Sequence, residues 1–193
     1  MADKIMDYLA EVAENLKASD SSQLNEIAQH IINTKKNGAH IFTAGNGGSA
    51  ATASHFCNDL IKGCRIGERT GFNAQCLSDP MAVLTCLAND YGYEYVYSVQ
   101  LQTHAQPGDL LIVFSGSGNS PNILKAAEVA RAKGMYIIGF GGRDGGQLKE
   151  LCNICFIAPT WSMEALEDLH LCYCHAMVSY IREVLTKAVD LGE

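Results

Sequence analysis

Hydrophobic positions recur at helical spacing near the start of the chain and then gather into short runs separated by helical segments. Ile5, Leu9, Val12 and Leu16 share one helical face. Ser21 or Ser22 can cap a second helix that turns Leu24, Ile27, Ile31 and Ile32 inward and ends near Asn37-Gly38. Ala39 to Thr43 then reads as a strand, Ser49 to Ile61 as a helix, and Ala74 to Leu77 as a short strand. A helix from about Pro80 to Ala88 and another over Tyr93 to Ala105 lead into Asp109 to Phe114, the clearest buried strand. Asn119 to Lys133 is helical and stops at Gly134. Met135 to Phe140 is a strand, Gly145 to Leu151 a short helix, Ile154 to Ala158 a last strand, and Ser162 to about Ala188 a long helix.

Strands alternating with helices across short Gly-rich turns predict an α/β fold, with a doubly wound parallel sheet covered on both faces. We expect a single domain over residues 1–193, with an N-terminal helical pair over 1–38 and the α/β core over 39–193. Arg65 to Phe72 lacks periodicity and is expected to be a mobile loop. Ligands of such sheets bind at the carboxyl ends of the strands.

Two loops fall there. Ala44-Gly45-Asn46-Gly47-Gly48-Ser49-Ala50 follows the first strand, and Ser115-Gly116-Ser117-Gly118-Asn119-Ser120 follows the buried third one. Each leads into a helix, whose N-terminal N–H groups and dipole favour an anion. Four hydroxyls, from Ser49, Ser115, Ser117 and Ser120, crowd positions where a bare turn would accept Gly, Asn or Asp. The pair predicts a phosphorylated ligand, with a sugar phosphate favoured over a dinucleotide. The dinucleotide fingerprint is matched only loosely by Gly45, Gly47 and Ala50, and its strand-end acid is out of place, since Asp79 comes too late. Neither loop carries the Gly-Lys-Ser/Thr ending of a P-loop. Asp90, at the C-terminal end of a helix, opposes the dipole and is a candidate functional residue. Lys125, one turn into its helix, reads as a solvent-facing lysine before a phosphate ligand.

Charge and cysteine content narrow the class. A formal net charge of −7 argues against nucleic-acid binding. No apolar stretch reaches membrane-spanning length, and Met1-Ala2-Asp3-Lys4 does not open a secretory leader, so a cytoplasmic location and no membrane partner are expected. Most of the eight cysteines sit inside apolar runs, as buried free thiols do. Cys152 and Cys155 form a C-x-x-C pair, but the Ile-Cys-Phe-Ile context reads as core strand rather than as a redox or zinc site.

His55 and Asp59 are one turn apart on one helix face, and Glu167, Leu171 and His175 stack on one face of the last helix. Two histidines and two carboxylates have the composition of a zinc or similar divalent site, or of a proton-transfer pair without metal.

Together these stretches resemble the sugar isomerase (SIS) domain family, closely its phosphoheptose isomerase branch. The matching residues are Gly45 to Ala50, His55-Phe56, Ser78-Asp79, Asn89 to Gly92, Ser117 to Ser120, Gly141 to Gly146 and the His170 to His175 helix. The resemblance covers essentially the whole chain. It implies a flavodoxin-like three-layer sandwich and an aldose–ketose isomerase of sedoheptulose 7-phosphate and D-glycero-D-manno-heptose 7-phosphate or a related sugar phosphate. It further implies that Ser49, Ser115, Ser117 and Ser120 bind phosphate, and that Asn46 and Asp90 contact the sugar. Gly47, Gly116 and Glu167 complete the implied substrate set. Asp59 is the implied base and His175 its acid partner. A divalent metal, zinc in several members, is implied at His55, Asp59, Glu167 and His175. A homotetramer with sites at subunit interfaces is implied as well.

Four positions depart from the family pattern. Asp59 stands where Glu is usual, Glu167 where Gln is usual, Gly116 where Thr is usual, and Glu164 where Asp is common. All four are expected to line one pocket. The alternative function is a non-catalytic SIS protein that binds a sugar phosphate or a protein partner, as the DnaA-initiator-associating relative does. Such a protein needs the Ser/Gly loops but not the two histidines and two carboxylates.

Overall fold

The computed structural model describes residues 3–191. The outermost two residues at each end of the expected domain, including Met1 and Ala2 of the leader reading, lie outside them. Two helices, α1 (Lys4–Lys17) and α2 (Ser21–Lys36), precede β1 (Ile41–Ala44) and α3 (Gly48–Asn58). A π-helical turn, Asp59–Gly63, leads to β2 (Ala74–Cys76) and α4 (Met81–Asp90). After a 3₁₀ turn, Tyr93–Tyr95, come α5 (Ser98–His104), β3 (Leu110–Ser115), α6 (Pro121–Ala132) and β4 (Tyr136–Gly141). The chain finishes with α7 (Leu148–Leu151), β5 (Ile154–Ile157) and α8 (Met163–Asp190). No helix among the described residues is long and apolar enough to cross a membrane.

The five strands are parallel in the order β2-β1-β3-β4-β5. This is the expected doubly wound sheet, with its switch point between β1 and β3. Strand side chains alternate faces. Ile41, Ile112, Phe114, Ile138 and Phe140 therefore pack with Ile27 and Ile31 of α2, Phe56 of α3 and Leu169 of α8. Phe42, Leu111, Val113 and Ile137 pack on the other face with Leu101 of α5 and Ile123 and Ala126 of α6. Burial on both faces explains why β3 reads as an unbroken apolar run.

Several local expectations change. Asp20 caps α2, its carboxylate accepting from the Ser22 and Gln23 N–H groups, so Ser21 and Ser22 lie inside the helix. The expected helix over Tyr93 to Ala105 is divided. Ser98 Oγ donates to the Tyr95 carbonyl and Gln100 Nε2 to the Val96 carbonyl, side-chain bonds that compete with a continuous ladder. The helix expected from Ser49 to Ile61 also changes form, becoming π-helical at Asp59. The Phe72 N–H claims the Leu60 carbonyl, and Gly71 lies so close to Ile61 that a Cβ there would sit 1.8 Å from the Ile61 carbonyl oxygen. The end of the Arg65 to Phe72 loop is thus pinned on this turn, with Lys35 Nζ donating to the Thr70 and Gly71 carbonyls at 2.7 and 2.6 Å.

Two apolar surfaces have no cover among the described residues. α1 buries no residue, and Ile5 and Leu9 are 74% and 53% exposed. α4 also buries none, leaving Met81 and Val83 exposed beside Tyr91 and Tyr93.

Candidate active site

The first loop turns from β1 into α3, which starts without a side-chain cap. Its earliest N–H groups are therefore free to meet an anion. Ser78 pins the loop from β2's end, its hydroxyl donating to the Gly45 carbonyl at 3.0 Å. Tyr97 donates to the same carbonyl. The Asn46 amide pairs reciprocally with Asn122, at 2.9 and 2.8 Å, and accepts from the Tyr93 hydroxyl at 2.9 Å. Asn46 thereby ties the first loop to α6 and to the 3₁₀ turn, and it also walls the cleft. Asn122, Tyr93 and Tyr97 escaped the sequence reading; two tyrosines four apart after a glycine are their only signal.

The second loop turns from β3 into α6, whose first residue is Pro121 and whose N-cap, Ser120, makes no side-chain capping bond. The Ser120 hydroxyl is left 3.4 Å from that of Ser115. Ser117 Oγ accepts the Asn119 N–H at 3.2 Å. Asn46, Ser49, Ser115, Gly116, Ser117 and Ser120 line one cleft of about 140 Å³, closed by Phe114, Met163 and Glu167. The structure therefore brings the expected hydroxyls together. A Cβ on Gly116 would lie 2.8 Å from Met163 Sδ, so Met163 fills the space that a Thr side chain would take.

Glu167 occupies an unexpected place. Its carboxylate lies over the N-terminus of α3, where a Cβ on Gly48 would be 2.1 Å from Oε2. A larger residue at position 48 would push the Glu167 carboxylate aside. The positive end of α3 meets this carboxylate in the same cleft that would hold a phosphate.

Lower on the same two helices, His55, Asp59 and His175 converge, each offering one ligand atom within 4.8 Å of the others. Asp59 Oδ2 is 3.5 Å from His55 Nε2 and 3.8 Å from His175 Nε2, and the two Nε2 atoms are 3.0 Å apart. Asp59 stands at the junction where α3 gives way to the π turn, a feature common at functional sites. Two imidazole nitrogens and a carboxylate oxygen facing one point suit a divalent ion with an open position. Glu167 stands outside this group of three, with its carboxylate beside Gly48.

Three more expectations lie elsewhere. Asp90 ends α4 on the surface, accepting from Asn89 Nδ2 at 2.8 Å, away from the cleft lining. Glu164 is exposed in the first turn of α8 and does not line the cleft. Lys125 places its amine over the Tyr95 ring, in a cavity of about 610 Å³ that shares Asn46 and Ser120 with the cleft. His170, 1% exposed, donates Nε2–H to the Gly141 carbonyl at 3.1 Å, and burial pushes its pKa down to about 4. It is a core histidine. A cavity of about 520 Å³ at the opposite end of the sheet is lined by Lys35, Lys62 and Arg65 beside the carbonyl ends of α2 and the π turn. Those cations complement helix C-termini, which disfavour an anion.

The SIS domain pattern matches residues 5–142. The chain belongs to the SIS domain family. It is 38% identical over 185 residues to a phosphoheptose isomerase of Trichlorobacter lovleyi, covering 96% of this chain and 93% of the relative. It is 42% identical over 158 residues to one of Helicobacter hepaticus, covering 82% and 80%. The solved structure of a phosphoheptose isomerase from Francisella tularensis superposes with a TM-score of 0.88 at 26% identity, covering 94% of this chain and 97% of that one.

Proposed function

We propose that this sugar-phosphate isomerase of the SIS family interconverts sedoheptulose 7-phosphate and D-glycero-D-manno-heptose 7-phosphate. One observation carries the reading. Ser49 and Glu167, which line the serine cleft, and the His55–Asp59–His175 cluster lie along the same pair of helices, a sugar's length apart. Ser49 and His55 are six residues apart on α3, and Glu167 and His175 eight apart on α8. At 1.5 Å per residue these separations are about 9 and 12 Å. An extended chain advances roughly 1.2 Å per bond, so the eight bonds from C1 to phosphorus of a heptulose 7-phosphate span about 10 Å. With phosphate on Ser49, Ser115, Ser117 and Ser120, the carbonyl end reaches the cluster.

There Asp59 takes the proton from the carbon beside the carbonyl, and His175 moves a proton between the two oxygens as the double bond shifts. Asp reaches one methylene less than Glu, and the π turn at Asp59 is what sets its position. His55, Asp59 and His175 would hold a divalent ion, zinc by their chemistry, with Glu167 able to join as a fourth ligand by changing rotamer. That ion would supply Lewis-acid stabilisation of the developing oxyanion. Asp90 lies off the cleft, and α1 and α4 leave apolar faces uncovered. Both support a homotetramer in which one subunit's Asp90 completes a neighbour's sugar site. A cytoplasmic location fits the substrate class.

The test is turnover of sedoheptulose 7-phosphate by Asp59→Ala and His175→Ala, followed by NMR. Each abolishes conversion while leaving sugar-phosphate binding within a few-fold. Near-full turnover by either variant overturns the assignment.

A further inference from the structure

Cys152 and Cys155, set aside as strand residues on sequence grounds, meet in space. Cys152 ends α7 and Cys155 lies in β5, in register with Gly139 of β4. A Cβ on Gly139 would be 2.6 Å from Cys152 Sγ and 3.3 Å from Cys155 Sγ, so both sulfurs occupy the space that this glycine leaves. The Cys152 thiol donates to the Cys155 sulfur. That bond holds the Cys155 thiol below its ordinary range, assisted by the Lys149 charge, and pushes Cys152 up. The other six cysteines are all shifted upward: Cys57, Cys64, Cys76 and Cys174 by burial, Cys172 chiefly so, and Cys86 by its bond to Asp90. Both members of the pair are partly exposed and both are free thiols. Thiolate character with access is what makes a cysteine oxidisable.

The pair is also wired to the phosphate cradle. α7 is a single turn. At its start the Leu148 N–H donates to the Gly118 carbonyl at 2.9 Å and the Gln147 N–H to Asn119 Oδ1 at 3.1 Å, both in the second loop. At its end stands Cys152.

We propose that Cys152 and Cys155 are a peroxide-reactive dithiol whose closure to a disulfide displaces α7 and weakens phosphate binding at the Ser115–Ser120 loop. The Cys155 thiolate attacks a hydroperoxide oxygen, the O–O bond breaks, and the departing alkoxide or hydroxide takes a proton. Cys155 is then a sulfenic acid. Cys152, giving its proton to solvent, attacks that sulfur, and the S–S bond forms as hydroxide leaves to become water. Two thiols are oxidised and one peroxide is reduced to an alcohol, or water, plus water.

Hydrogen peroxide is the probe, with proteolysis and mass spectrometry as the readout. The expected result is a Cys152–Cys155 cross-link, lighter by two hydrogens and reversed by dithiothreitol, forming at lower peroxide doses than oxidation of Cys86 or Cys172. Cys152→Ser, or Cys152→Ala if the first variant folds poorly, accumulates a Cys155 sulfenic acid that dimedone traps. Inorganic phosphate binds the oxidised wild type at least threefold more weakly than the reduced protein, and the Cys152 variant shows no such change. Oxidation of Cys86 or Cys172 ahead of the pair, or absence of the cross-link, overturns the site. A cross-link that leaves phosphate affinity unchanged overturns its coupling to the loop.

Discussion

Replacing Glu167 by Gln removes a negative charge from the cleft that is to hold a phosphate dianion. The carboxylate stands over Gly48 at the start of α3, and Ser49, Ser115 and Ser117 line the same space. A phosphate seated on those N–H groups and hydroxyls would have Glu167 as its neighbour. For charges of −1 and −2 roughly 6 Å apart, the repulsion is about 1.4 kcal/mol at the dielectric of water and about 5.5 kcal/mol at an effective dielectric of 20. Glu167 is only half-buried, so the lower figure applies. Glu167→Gln keeps the side-chain shape and should tighten inorganic phosphate at least tenfold in metal-free protein at low salt. Calorimetric titration reads this directly. The gain should shrink several-fold between low salt and 0.5 M salt, because the Debye length falls to a few ångströms. Equal or weaker phosphate affinity in the variant, or a gain insensitive to salt, would refute the placement of phosphate at this helix end.

Other consequences follow from the same geometry. His55→Ala should lower zinc affinity by one to two orders of magnitude, read by competition with a chromophoric chelator, since a three-donor group loses one donor; unchanged affinity removes the metal assignment. His170 is held neutral by burial, with its pKa lowered to about 4 against an ordinary 6.5. The unfolded chain therefore binds the extra proton first, and stability contributed above pH 6.5 is lost as pH falls toward 4, by about 3 kcal/mol at most. Urea titrations of His170→Gln should show a flatter stability slope across pH 4–6.5, and an unchanged slope contradicts the assignment. Ile5→Asp with Leu9→Asp should convert the proposed tetramer to smaller species by light scattering, because those side chains are exposed in the single chain; an unaltered mass points the interface elsewhere.

The sheet was legible in the sequence because its strands are buried on both faces and each is followed by a helix whose spacing shows. Helix ends were less legible. Ser21 and Ser22 were the expected caps, but Asp20, an equally good cap by residue type, holds the position, and only the backbone decides. The gathering of four serines in one cleft was legible for a different reason: both loops follow a strand of the parallel sheet and lead into a helix, so they meet at the same sheet edge. Asn122, Tyr93 and Tyr97 were not, since their part is to bond the loop across the switch point, and nothing local marks a long-range partner. The π turn at Asp59 was hidden too. It depends on the Phe72 N–H arriving at the Leu60 carbonyl from twelve residues on. Glu167 shows the limit of helical spacing: stacking with His175 on one face predicted a shared ion, but a flexible side chain on that face turned toward the helix end instead.

The central claim is that Asp59 removes a proton from a phosphorylated ketose held by the two serine loops. Incubation of sedoheptulose 7-phosphate with the protein in D₂O, followed by NMR at C1, tests it most directly. The account predicts deuterium at C1 with the wild type and none with Asp59→Ala, although that variant still binds the sugar phosphate. Exchange by Asp59→Ala at the wild-type rate, or binding without exchange by the wild type, contradicts it.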